Sequence, residues 1–292
     1  MKTYLFYDIE TSGLNPAFDQ ILTFAAVRTD TNFVELDRYS LTIRLRKDIV
    51  PSPGAFLTHG LSFEELAQGM DEYDAALQIH KIVNTPDTIS LGYNSLNFDD
   101  EFLRFTFYRN LLDPYSHQYK DGCQRMDALP ITVIYRIFHP ECLSWPQFND
   151  KPTLKLELIA ADNGFITQGK AHEAMNDVEA LIELSKRLFS AKEDIWHYCL
   201  DFFNKKPDSK RINNIQSNFR IQNRQFKLGI MVSHSFGAKL NYLAPVMYIG
   251  QSIPYANQGL WMRLDLSGSS INPSPNSDPN SDSDQAQEQA DS

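Results

Sequence analysis

The most constraining feature of this chain is an apolar run that ends in two carboxylates. Residues 3–9 read TYLFYDI, a mixture of aromatic and aliphatic side chains that predicts a strand buried on both faces. Asp8 and Glu10 flank one residue, so the two-residue period of a strand points both carboxylates to the same side. Two acids beside a buried strand are costly unless positive charge lies there. An ordinary strand end facing water is the alternative for an isolated pair of this kind.

The patterns that follow predict an α/β domain of about 200 residues. Strands are predicted over 21–28, 39–45 and 89–93 from their apolar and β-branched content. Ser62 and Glu65 form a capping-box signature that starts a short helix. Helical spacing is predicted over residues 73–83, 99–110, 128–138, 154–161, 172–189 and 191–203.

The character of the chain changes after Pro207. Short β-prone runs broken by Gly and Pro predict a small β-rich unit over about 212–266. From Ser267 the sequence is Ser, Asn, Pro, Asp and Gln with almost no apolar side chain, so we expect that segment to be disordered. The predicted domains are therefore 1–203, 204–266 and the acidic tail 267–292.

Charge is distributed unevenly along the chain. The net charge is −10, which by itself argues against a nucleic-acid binder. Residues 203–240, however, hold eight Lys or Arg and one acid, whereas 267–292 hold five acids and no Lys or Arg. An acidic body with one basic segment predicts local phosphate contacts, with metal ions between the acids and a polyanion. A simple solvated face is the alternative for the basic segment.

Several classes of protein are excluded by composition. No apolar stretch approaches the roughly 20 residues of a membrane helix, and acids at Asp8 and Glu10 precede any signal-peptide core. The three cysteines form no CxxC pair, which argues against a disulfide framework or a zinc ribbon. We expect a soluble, cytoplasmic, monomeric protein without membrane contact.

Two further acidic motifs accompany the first. Asp99 and Asp100 follow a predicted strand where a helix begins, and His172 precedes Asp177 by five residues at the start of another helix. Taken alone, acids at helix starts are ordinary caps. The three acidic motifs, in this order along the chain, allow four carboxylates to converge on two hard divalent cations, Mg²⁺ or Mn²⁺. Two such ions about 4 Å apart can activate water and stabilise the leaving oxygen at phosphorus, with a histidine taking the proton.

These motifs also carry a family resemblance. FYDIETSG, LGYNSLNFDDEFLR and HEAMNDVEA resemble the motifs of the DEDD exonuclease superfamily in its histidine branch; the other branch has tyrosine where this chain has Glu173. Within it, residues 3–266 resemble the bacterial exonuclease I family. The resemblance implies a ribonuclease-H-like mixed sheet flanked by helices, followed by a small src-homology-like β-barrel that looks incomplete here.

The resemblance implies roles for individual residues. Asp8, Glu10, Asp99 and Asp177 match metal ligands, with Glu10 also close to the terminal nucleotide, and His172 matches the general base. Asp100 is expected to be a structural neighbour. Positions that contact single-stranded DNA in the family are matched by Arg104, Tyr115 and Lys205, and by Lys155, which stands where the family tends to have arginine. A lysine keeps the charge but loses the bidentate fork.

The function implied is that of a Mg²⁺-dependent 3′→5′ exodeoxyribonuclease in DNA repair and recombination, which degrades single-stranded DNA from a free 3′ end to 5′-mononucleotides. Family members continue into a helical C-terminal domain, whereas this chain ends in the acidic tail. That difference puts processivity and the docking site for single-strand-binding protein in question. The alternatives are a related exonuclease acting on RNA or short oligonucleotides, and a non-catalytic single-strand binder.

Overall fold

A computed structural model describes residues 1–149, 151–165, 174–255 and 258–266. The chain divides into two compact units, the first formed by residues 1–214 and 232–242 and the second by 215–231 and the described residues from 243 onward. The predicted domain boundaries at 203/204 and 266/267 stay predictions. The tail predicted to be disordered lies outside the described residues.

A five-stranded mixed sheet organises the first unit. Its strands are β1 (Thr3–Thr11), β2 (Ile21–Thr29), β3 (Glu35–Thr42), β4 (Thr88–Gly92) and β5 (Gln124–Asp127), in the order β3-β2-β1-β4-β5. The strands β2 and β3 run antiparallel to their neighbours, whereas β4 pairs parallel with both β1 and β5. The predicted α/β class is therefore confirmed. The parallel half of this sheet matters for the site, because residues that follow parallel strands meet at one edge.

The central position of β1 explains its sequence. Its side chains from Thr3 to Tyr7 are all buried, as an apolar run on the middle strand of a covered sheet requires. Only Asp8 and Glu10 are half-exposed, with buried Ile9 between them pointing to the other face. The prediction of a strand buried on both faces is confirmed, and its two acids lie where the strand leaves the core.

The described residues form nine α-helices. They are α1 (Pro53–His59), α2 (Phe63–Ala67), α3 (Glu72–Val83), α4 (Asp99–Arg109), α5 (Ala128–Phe138), α6 (Leu156–Asn163), α7 (Ala174–Ala191), α8 (Glu193–Leu200) and α9 (Lys205–Asn214). The capping box predicted at Ser62 and Glu65 is present in both directions. Among the described residues, no helix is both long enough and apolar enough to cross a membrane.

The remaining strands are short. A two-stranded hairpin, β6 (Gln147–Phe148) with β7 (Lys151–Pro152), precedes α6. In the second unit, β8 (Phe219–Ile221) pairs with β9 (Arg224–Phe226), and β10 (Leu228–Val232), β11 (Leu243–Gln251) and β12 (Gly259–Arg263) form a three-stranded sheet in that order. These strands agree with the β-rich character predicted after Pro207.

Some predicted bounds differ from the structure, and the differences have physical reasons. The third strand covers Glu35–Thr42 instead of 39–45, because its first residues pair with the end of β2 although the first four are exposed and three of these are charged. The α9 helix includes Pro207, which sits in the first turn, where a helix does not need the missing N–H group. The start predicted for the helix at 172 lies outside the described residues.

Candidate active site

The strand β1 brings two of the predicted acids to the sheet edge. Asp8 lies opposite Ala25 and Glu10 opposite Thr23 on β2, and the register shifts between Glu10 and Thr11. A bulge of this kind bends a strand and re-aims its side chains, and bulges are common beside functional sites. The geometry thus directs both carboxylates out of the core at the point where β1 ends.

A tight loop after β4 delivers the third acid. Gly92 ends β4, and a Cβ at that position would lie 2.5 Å from Ser95 Cβ and 3.3 Å from the Tyr7 carbonyl oxygen. Only glycine allows the loop to fold back this closely. The chain then passes through Asn94, in the left-handed region with φ 60°, and reaches Asp99 as the first residue of α4. Asp99 is 6% exposed.

The fourth acid comes from the helix that packs on the sheet. Asp177 lies in the first turn of α7, whose buried face includes Ala174, Val178 and Leu181. An acid in a first turn is favourably placed beside the positive end of the helix. His172, the predicted general base, lies outside the described residues, so its proposed role stays a prediction.

These elements enclose one acidic cleft of about 230 Å³. Carboxylate oxygens of Asp8, Glu10 and Asp177 lie within 4.8 Å of one another, and Asp99 lines the same cleft. The full lining is Asp8, Ile9, Glu10, Tyr93, Asn94, Phe98, Asp99 and Asp177. Four acids predicted from three separate motifs are therefore brought to one place by β1, the loop after β4 and α7.

The electrostatics of the cleft are those of a cation site. Burial, with Asp99, Asp177 and Glu10 adding repulsion, raises the pKa of Asp8 well above its usual range. The same causes raise the pKa of Glu10 to about 8, with repulsion from Asp177 and Asp99. Burial also raises the pKa of Asp99 to about 8, partly offset by backbone hydrogen bonds from Asp99 and Ile9. Burial and mutual repulsion shift pKa values in this way when several carboxylates share one site.

The donor set fits a hard divalent cation. All four groups offer carboxylate oxygens, which Mg²⁺, Mn²⁺ and Ca²⁺ prefer, and none offers sulfur. Three oxygens already lie close enough together to share an ion. A bound dication would offset the repulsion that adds to burial in raising the pKa values of Asp8 and Glu10, so these residues fit such an ion.

The neighbouring acid, Asp100, has a different environment. It is 1% exposed and accepts hydrogen bonds from His117 Nε2 at 3.0 Å and Gln118 Nε2 at 3.1 Å. Arg125 also pairs with it, and together His117 and Arg125 outweigh burial and hold the pKa of Asp100 below its usual range. The structure thus gives Asp100 partners within the chain, as a structural neighbour would have.

The predicted DNA-contacting residues lie on different elements. Arg104 on α4 donates from Nη2 to the Tyr115 hydroxyl at 2.7 Å, and its Cζ lies 4.6 Å from the ring centroid. Lys155 precedes α6, with its Nζ 5.6 Å from the Phe148 ring centroid. Lys205 is exposed at the first residue of α9. Arg104 and Tyr115 form one unit, and the structure puts neither Lys155 nor Lys205 in contact with them.

Two residues in or beside the site were not predicted from the sequence. Tyr93 lines the cleft, and its hydroxyl donates to the Leu154 carbonyl next to Lys155. Asp127, at the end of β5, accepts backbone hydrogen bonds from the loop that precedes Asp99. An aspartate directly before the helical pattern at 128–138 was the available signal, since it is a good N-cap residue.

A larger cleft lies elsewhere but has no unbalanced charge. It measures about 720 Å³ and follows α7 beyond its first turn, between that helix and β3. Arg38 pairs there with both Glu35 and Glu179, and Lys186 pairs with Glu183. Because these charges neutralise one another, volume alone does not identify the site, and the small acidic cleft remains the stronger candidate.

Comparison with known proteins agrees with the motifs. Exodeoxyribonuclease I of Escherichia coli is 36% identical over 207 residues, which is 70% of this chain and 43% of that relative. The chain thus spans less than half the length of this relative. The crystal structure of E. coli exonuclease I in complex with a dA16 oligonucleotide matches with a TM-score of 0.81 and 31% identity, over 92% of this chain and 56% of that one.

A zinc-bound form of an E. coli exonuclease I complex with single-stranded DNA matches similarly, with a TM-score of 0.79, 31% identity and coverage of 89% and 54%. These matches confirm the resemblance to the bacterial exonuclease I family and the ribonuclease-H-like fold that the motifs predicted. The exonuclease family model matches residues 5–185, which include β1, the loop after β4 and the start of α7. The chain therefore belongs to the exonuclease family.

Proposed function

We propose that this chain is a metal-dependent 3′→5′ exonuclease that removes 5′-mononucleotides from single-stranded DNA. The observation that carries the proposal is the convergence of Asp8, Glu10 and Asp177 within 4.8 Å in a cleft also lined by Asp99. The likeness to exodeoxyribonuclease I, including a complex with an oligonucleotide, supports the polarity and the substrate.

The four carboxylates would hold two divalent cations, with Mg²⁺ as the expected ion and Mn²⁺ as a substitute. When bound, such ions activate water and stabilise the leaving oxygen of a phosphodiester. The chain itself orients the carboxylates before the substrate binds. It holds them on a strand, at the start of a helix and after a loop that depends on glycine. His172 is proposed as the general base, since its ordinary pKa lies near working pH.

Substrate contacts are proposed for five residues. Glu10 lines the cleft and is half-exposed, so it is proposed to contact the terminal nucleotide as well as an ion. Tyr115 already orients the Arg104 guanidinium. The guanidinium suits a phosphate, and the aromatic ring suits a neighbouring base. Lys155 and Lys205 are exposed point charges for the phosphate backbone. A docking site for single-strand-binding protein and a role in repair stay predictions from the resemblance.

The decisive assay uses 5′-labelled single-stranded and double-stranded DNA with excess Mg²⁺. The proposal predicts a ladder that shortens from the 3′ end of the single strand and disappears with EDTA. A matched 2′-OH substrate separates a deoxyribonuclease from an enzyme that prefers RNA. Gel-shift binding with no Mg²⁺-dependent product, from protein that binds Mn²⁺ normally, would favour a single-strand binder and contradict the proposal.

A further inference from the structure

Asp127 lies at the junction of three parts of the site without lining it. It is 2% exposed at the end of β5, where it pairs with Gly92 at the end of β4. Its Oδ1 accepts the backbone N–H of Asn94 at 2.8 Å and that of Leu129 at 2.9 Å, and its Oδ2 accepts from Leu96 at 3.3 Å. One carboxylate therefore caps α5 and also holds the loop that leads to Asp99.

Two further hydrogen bonds of that loop are local: Asn97 Nδ2 donates to Asn94 Oδ1 at 3.4 Å, and the Phe98 N–H donates to the Ser95 carbonyl at 3.3 Å. The residue before α4 is Phe98, whose side chain makes no capping hydrogen bond, so α4 begins without a cap of its own. Asn94 is in the left-handed region, where a non-glycine residue persists only if its surroundings favour it. Asn94 and Phe98 both line the acidic cleft beside Asp99. A change in the loop would therefore move cleft residues directly.

A second residue of β5 holds the other side of the same helix start. Arg125 lies two residues before Asp127, so both side chains leave the strand on the same face. Arg125 pairs with Asp100, the second residue of α4, while Asp127 binds the loop that ends at Asp99. The two contacts bracket Asp99 along the chain, and both originate from a strand that is buried at Met126.

We infer that Asp127 is a positioning residue for the metal centre, which sets the place of the Asp99 carboxylate by fixing the loop from Asn94 to Leu96. The inference rests on the proposed metal-dependent function, because it concerns the same cleft. It assigns Asp127 no contact with the ion or with the DNA. Loss of an outer hydrogen-bond partner of a metal site typically reduces metal affinity or activity about 10- to 100-fold.

Two substitutions separate its roles. Asp127→Asn and Asp127→Ser remove the same charge, so any difference between them arises from hydrogen bonds. Asparagine keeps one oxygen that can still reach the Asn94 and Leu129 N–H groups. Serine is a good N-cap for α5 but is too short to hold the loop as well. Val133→Ala, a buried truncation in α5 away from the loop, controls for general destabilisation.

The experiment measures Mn²⁺ binding to the full chain by electron paramagnetic resonance, without DNA, alongside melting temperature. We expect Mn²⁺ affinity to fall about tenfold in Asp127→Ser and about threefold in Asp127→Asn, and to stay within about twofold of wild type in Val133→Ala. The steady-state constants should show the same order in kcat at subsaturating Mg²⁺, with KM for DNA nearly constant.

Two results would overturn the inference. Equal Mn²⁺ affinity in Asp127→Asn and Asp127→Ser would assign the effect to charge alone. Wild-type affinity in both, with a lower melting temperature, would assign Asp127 a purely structural role. Wild-type protein that binds Mn²⁺ but hydrolyses no DNA would instead remove the proposed function and leave the positioning role intact.

Discussion

Asp99 and Asp100 are adjacent in the chain, nearly equally buried, and opposite in their electrostatics. Asp100 faces His117, Gln118 and Arg125, which hold its pKa below the usual range. Asp99 faces the carboxylates of the cleft, and burial raises its pKa to about 8. Among the described residues, Asp100 is held by His117 and Arg125, whereas Asp99 shares its cleft with three other carboxylates. The arrangement around Asp99 is one that a divalent cation would stabilise.

The largest expected effect is on hydrolysis. Asp8→Asn keeps the shape of the side chain but removes one ligand, so kcat with Mg²⁺ should fall by more than the roughly 100-fold that an outer partner can cost. Asp74→Asn, on the exposed first turn of α3, is the matched control and should keep wild-type activity. Release of labelled nucleotide measures both. Substantial hydrolysis by rigorously purified Asp8→Asn would break the assignment of the cleft.

The next effect is on stability. Substitution of Asp100 should lower the free energy of unfolding, whereas substitution of Asp99 should not. Asp100→Asn leaves His117 and Arg125 with a weaker partner and should lower the free energy of unfolding by about 2–3 kcal/mol. That is less than the roughly 3–5 kcal/mol of a fully buried pair, because Arg125 is 34% exposed. Asp99→Asn in EDTA should leave stability unchanged or raise it, because it relieves repulsion. Urea unfolding of both variants tests the contrast, and equal losses would refute it.

The pH dependence should show the same contrast. Because the pKa values of Glu10 and Asp99 are raised to about 8, the folded protein without metal binds more protons than the unfolded chain between about pH 4 and 8. These two groups stabilise the folded state most below pH 4, and that stabilisation is lost as the pH rises toward 8. Melting temperature in EDTA should therefore fall over this range, and saturating Mg²⁺ should raise it most at pH 8. A Mg²⁺ effect independent of pH would contradict the account.

The smallest expected effect is on substrate binding. Arg104→Ala removes the phosphate contact proposed for this residue, so KM for single-stranded DNA should rise several-fold, kcat should change little, and the salt slope should fall by about one. Arg38→Ala, a paired arginine in the larger cleft, is the control. An unchanged salt slope in Arg104→Ala would remove this residue from the binding surface.

Much of the fold could be predicted because its signals are local. The apolar runs of β1, β2 and β4 and the capping box at Ser62 are complete within a few residues. The strand β5 was missed because its sequence, QRMD, is short and largely polar, and only pairing with β4 makes it a strand. The α9 helix was not predicted, because its residues are almost all polar and give no apolar periodicity.

The residues of the site also differ in whether their sequence signals are local. The four cleft acids could be predicted, because each lies in a short motif whose residue spacing matches the strand or helix that carries it. They are Asp8, Glu10, Asp99 and Asp177. The difference between Asp99 and Asp100 could be stated but not explained, because the partners His117 and Arg125 lie 17 and 25 residues away from Asp100. Asp127 was missed for the same reason, since its role exists only once β5 lies beside β4.

The proposed activity depends on divalent cations held by the cleft carboxylates. Crystals soaked in Mn²⁺ and measured for anomalous scattering would locate such ions. We expect anomalous peaks within coordination distance of Asp8, Glu10 and Asp177, which are lost in an Asp177→Asn crystal. Ordered Mn²⁺ at other acids of the same crystal, with none in this cleft, would contradict the proposal.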